Sequence, residues 1–96
     1  MQVDNETSDR FTIIDVFADD RQGLLYVITH AIFKLGLSVH AARISTRLDQ
    51  VADVFYVSDL EGGKIMDHAQ LEAIRVTIKD EIDRFLEGSE QQAANS

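Results

Sequence analysis

The chain has 96 residues, 45% of them hydrophobic, no cysteine and a formal net charge of −8, which bounds it to one domain with one modest core and excludes disulfides, thiolate chemistry and a cysteine-based metal centre. Seventeen acidic against nine basic residues repel a nucleic-acid backbone, and no basic patch offsets them, so no nucleic-acid partner is expected. No apolar run approaches the roughly 20 residues of a membrane span and no signal-peptide pattern opens the chain, so no membrane partner is expected and a cytoplasmic location fits.

Residues 1–10 are polar and unpatterned and read as a flexible leader. Residues 11–18 are β-branched and aromatic, the mark of a strand, with Thr12, Ile14 and Val16 on one face and Phe11, Ile13 and Phe17 on the other. A helix follows over about residues 21–35, with Leu24, Leu25, Ile28, Ala31, Ile32 and Leu35 at helical spacing and Gly36 where a left-handed residue ends a helix. His30 and Lys34 fall off that stripe, towards water.

Residues 37–46 alternate as a second strand: Leu37, Val39 and Ala41 share a face, the apolar phase then moves to Ile44, and a bulge is expected near Ala42 and Arg43. The short polar link 47–50 leads into a third strand over 51–59, so these two strands pair antiparallel. After a turn around Gly62 and Gly63, Asp67 opens a second helix with Gln70 as its capping-box partner. Leu71, Ile74, Ile78, Ile82 and Phe85 form its buried stripe, Gly88 ends it, and residues 88–96 read as a disordered tail. The domain is therefore expected over 11–87. The order β-α-β-β-α predicts an α+β, ferredoxin-like fold: an antiparallel sheet, two helices on one face, and the final strand short or missing. The second face then carries Phe11, Ile13 or Phe17 with Phe55 and Val57, and an edge stays unfilled.

Catalytic signals are sparse. His30, His40 and His68 are not spaced as metal ligands, and no nucleophile elbow, P-loop or dinucleotide fingerprint occurs. Neither a cofactor nor an enzymatic activity of the chain alone is expected. The informative stretch is the turn 19–25, where Asp20 suits an N-cap, Gly23 allows close backbone approach, and a helix N-terminus attracts carboxylates.

Asp20-Arg21-Gln22-Gly23-Leu24-Leu25 resembles the Asp-Arg-Pro-Gly-Leu-Leu signature of ACT domains, small regulatory modules that bind amino acids, with Gln22 where proline is usual. Ala42-Arg43-Ile44-Ser45-Thr46 and the run from Ala52-Asp53-Val54-Phe55-Tyr56-Val57 to Ile65 extend the likeness to the C-terminal ACT domains of bacterial PII uridylyltransferases. The resemblance covers about residues 11–86. It implies a regulatory domain that senses an amino acid, glutamine in those enzymes, for catalytic domains of the same polypeptide in nitrogen regulation. It also implies pairing, as a homodimer or with another ACT domain, because ligands in the family lie between the first turn of one domain and the second strand of a neighbour. Carried onto this sequence, the site is Asp19, Asp20, Gln22, Gly23, Leu24 and Leu25 on one side, and Val39, His40, Ala41 and Ala42 on the other. Helix-start N–H groups would receive the ligand carboxylate, Asp19 or Asp20 its ammonium, and His40 or Gln22 a side-chain amide. The same residues also suit a cap, a packing glycine and core leucines, and an interaction module without ligand, working through the open sheet face or edge, is the alternative.

Overall fold

A computed structural model describes residues 1–95 apart from Asp20, Arg21 and Asp49, with the side chains of Thr46, Arg47 and 88–95 also outside the description. The elements run β1 (Gln2–Asp4), β2 (Thr12–Asp19), α1 (Leu24–Lys34), β3 (Leu37–Arg43), β4 (Thr46–Arg47), β5 (Gln50–Asp59) and α2 (His68–Asn95). The strands lie side by side in the order β1-β2-β5-β3, every neighbouring pair antiparallel, and β4 pairs with β5 beyond the end of β3. This is the ferredoxin-like α+β arrangement expected from the sequence.

β1 takes the slot beside β2 where the ferredoxin-like plan puts its final strand. β1 lies within the stretch read as a flexible leader, and it pairs with β2 in the register Gln2↔Asp15, Val3↔Ile14, Asp4↔Ile13. Its composition hides it because the bonds that hold it are tertiary. Asn5 donates its amide to the Ile65 carbonyl at 2.7 Å and accepts from the Thr12 hydroxyl at 2.8 Å, while the Lys64 ammonium reaches the Ser8 carbonyl at 2.7 Å. Asp4 turns the chain out of β1 by accepting the backbone N–H groups of Glu6 and Thr7.

Ile14, Val16, Phe55 and Val57 on the sheet meet Leu24, Ile28, Ala31 and Ile32 of α1 and Ile74, Ile78 and Ile82 of α2 in one core. Phe55 and Val57 thus belong to the helix side, not to the open face where they were expected. The cause is register: Ile14 stands opposite Phe55 and Thr12 opposite Val57, and directly paired residues share a face. Val54 and Tyr56 take the open face instead, across from Asp15 and Ile13. The bulge in β3 falls at His40, between Val39 and Ala41, rather than near Ala42 and Arg43, so Ala41 leaves the face of Leu37 and Val39 and pairs with Tyr56.

The helix ends also refine the reading. α1 begins at Leu24, with Gly23 in the N-cap position at φ 87°, so the expected start at residue 21 is three residues early. Gly36 at φ 74° closes the other end as expected. Asp67 caps α2, its carboxylate accepting the Ala69 N–H at 3.1 Å. Gly88 does not stop α2, whose backbone continues to Asn95 through the stretch read as a tail. Glu, Gln and Ala dominate that stretch, and all three favour helix.

Candidate functional site

The turn between β2 and α1 is built by a backbone requirement. The left-handed conformation at Gly23 swings the chain from strand into helix, and its carbonyl accepts the first helical bond, from Val27 N at 3.1 Å. A Cβ there would meet the Phe85 ring of α2 at 3.5 Å, ordinary contact, so the backbone angle rather than crowding calls for glycine. Asp19, Gln22 and Gly23 are exposed, Leu24 is buried in the core, and Leu25 is exposed on the flank of α1. Leu24 is therefore an anchor, while Leu25, expected on the core stripe, is available at the surface. Asp20 and its expected capping role lie outside the described residues.

The other half of the expected site, Val39, His40, Ala41 and Ala42, lies on the edge strand β3 and is exposed throughout. Its shape is set by the bulge, which leaves His40 on the open face. The His40 ring lies 4.9 Å from that of Phe11, which in turn meets Tyr56 edge-on at 6.4 Å. His40 Nε2 sits 2.6 Å from the Ser58 hydroxyl, and that hydroxyl donates to the Asp59 carbonyl at 2.7 Å. A serine has one hydroxyl proton, so Nε2 is assigned as the donor to Ser58, leaving Nδ1 to accept or donate elsewhere. Ser58 and Phe11 thus hold His40, a support that alternation along the sequence cannot reveal because it depends on the bulge.

One copy of the chain does not bring the two halves together. Asp19 stands level with Gln50 of β5, whereas Ala42 stands level with Phe55 and Val39 with Val57. Five to seven strand residues separate them, about 17–23 Å at the usual rise. Beside the turn itself are two open cavities. One, of about 320 Å³, is lined by Phe17, Ser45, Gln50, Val51 and Ala52 on the open side of the sheet. The other, of about 350 Å³, lies between the end of β2 and α2 and is lined by Phe17, Ala18, Asp19, Gln50, Ile82, Asp83 and Leu86. Neither is enclosed, and Phe17 borders both.

The charges around the helices are mostly surface pairs. The Lys34 ammonium bonds the Glu81 carboxylate at 2.7 Å and holds that carboxyl below its usual range, tying the end of α1 to α2. Among the described residues no three histidine or acidic side chains converge on a cation position, and no described helix is long and apolar enough to cross a membrane.

Residues 1–87 match the family model described as ACR9-like, ACT-like domain. The bifunctional uridylyltransferase/uridylyl-removing enzyme of Rhodospirillum rubrum is 36% identical over 96 residues, covering 96% of this chain and 10% of its own length. Those of Zymomonas mobilis and Rhodopseudomonas palustris are 46% identical over 72 residues and 43% over 75, covering 75% and 78% of this chain and 8% of each enzyme. The chain thus spans a tenth or less of these relatives. No solved structure matches it. The match reaches back to residue 1, across the strand β1 that completes the sheet, and the chain belongs to the family of ACR9-like, ACT-like domains.

Proposed function

We propose that the chain is a non-catalytic regulatory module that binds an amino acid, glutamine, on behalf of a PII uridylyltransferase of cytoplasmic nitrogen regulation. The observation that carries this reading is the placement of two exposed half-sites, the Gly23 turn and the His40 bulge, at opposite ends of the sheet. A pocket that uses both needs two chains, or a second ACT domain, set so that the turn of one faces β3 of the other. β3 suits that pairing, for its outer edge has no strand partner among the described residues and Val39 and Ala42 are exposed along it. The relatives being enzymes of about ten times this length supports a role subordinate to catalytic domains elsewhere in a polypeptide.

Titration of the chain with each of the twenty amino acids, followed by backbone amide shifts, tests the reading. Glutamine alone is expected to move Gly23 and Leu24 together with His40 and Ala42. If no amino acid at millimolar concentration moves them while the chain still pairs, it is an interaction module working through β3 without ligand, a reading favoured by the exposed apolar side chains of that edge.

A further inference from the structure

The open face of the sheet carries a pattern that complements itself. Ile13, Tyr56 and Ala41 stand in one row across β2, β5 and β3, and Asp15, Val54 and Arg43 in the next. A third row holds Phe17, Ala52 and Ser45, whose carbonyl accepts the Ala52 N–H at 2.8 Å. In each row the residue from β2 is the converse of the one across β5: large against small, acidic against basic, large against small. Asp15 and Arg43 are the only charges in these rows, and neither has an ion-pair partner among the described residues. We propose that two copies of the chain pack these faces together about a two-fold axis running along β5 through Val54. That axis lays the β2 side of one sheet over the β3 side of the other, at the ~10 Å separation and about −30° crossing of aligned sheets. Asp15 then meets the second copy's Arg43, and Arg43 its Asp15. The Phe17 ring, 74% exposed, enters the second copy's cavity of about 320 Å³, beside Ser45 and Ala52. Val54 and Tyr56, half-buried in a single chain, close on their equivalents at the axis. An axis across the strands would instead set Asp15 on Asp15 and Arg43 on Arg43, so charge selects the first arrangement. The net charge of −8 opposes self-association in general, but the two charges in these rows cancel. This packing uses neither the Gly23 turn nor the outer edge of β3, and so does not rest on the pairing through β3.

Sedimentation equilibrium of the chain up to millimolar concentration, with charge-reversed variants, tests this. Asp15→Arg and Arg43→Glu each set like charges together, and each alone is expected to weaken the pairing about tenfold or more while the core amide signals of Ile28 and Ile78 stay in place. An equimolar mixture of the two is expected to recover it, because both contacts of the mixed pair then join opposite charges. A mixture of Arg43→Glu with Asp83→Arg, equal in charge but altered on α2, is expected not to. In a mixture of isotope-labelled and unlabelled chain, cross-peaks are expected from the Phe17 ring of one copy to Ser45 and Ala52 of the other. A chain that stays single at millimolar concentration, pairing unchanged in Asp15→Arg, no recovery in the mixture, or cross-peaks confined to Val39 and Ala42 at the β3 edge would each overturn the proposal.

Discussion

Any side chain at position 23 would be held at φ 87°, a conformation that costs an L-residue about 1–2 kcal/mol. Gly23→Ala is therefore expected to lower unfolding free energy by about that much in urea titrations. Because the neighbouring Phe85 ring tolerates the added carbon, the loss comes from the backbone alone. Ile78→Ala, at a fully buried site, is expected to cost more, about 2–5 kcal/mol, since it leaves a cavity between α2 and the sheet. Residue type announces both positions: a glycine between strand and helix, and an isoleucine on a helical stripe. His40 differs. Its contacts with Ser58 and Phe11 follow from a one-residue bulge, and the change of apolar phase after Ala41 places that bulge two residues too late.

At the scale of elements, α1, α2 and the three longer strands are legible because each has a strong period, 3.6 or 2, over many residues. β1 is not, since three residues are too few to show alternation and Val3 is its only apolar member. What makes it a strand is the hydrogen-bonded join of Asn5 to Thr12 and Ile65, a relation between residues 60 apart. Asn5→Ala leaves the carbonyl of the buried Ile65 without that donor and is expected to cost about 1–3 kcal/mol in thermal or urea unfolding. Asp4 adds a pH dependence. The Thr7 hydroxyl, then the N–H groups of Glu6 and Thr7, hold its carboxyl below the usual carboxylate value. A carboxyl whose folded pKa lies below its unfolded one stabilises at pH above the unfolded value and loses that contribution as pH falls through the folded one. Amide exchange in residues 2–7 is therefore expected to accelerate below the ordinary aspartate range, before the core of α1 and β5 opens.

For the whole molecule, sequence reading captured the order of the two helices and the three longer strands and misplaced what is exposed. Register decides which apolar residues face out, and a one-position difference sends Phe55 and Val57 inward and Val54 and Tyr56 outward. The N-terminal strand covers part of one edge, β3 has no strand partner on its outer side among the described residues, and the two proposed half-sites stand about 17–23 Å apart in a single copy. A ligand that bridges them binds the paired form and not the single chain, so binding and pairing are linked. Sedimentation of the chain with and without glutamine tests this most directly. Glutamine is expected to shift the distribution towards the paired species, with apparent affinity rising with protein concentration. Glutamine bound with the same affinity by a strictly single chain, or a distribution unmoved by millimolar glutamine, would contradict the account.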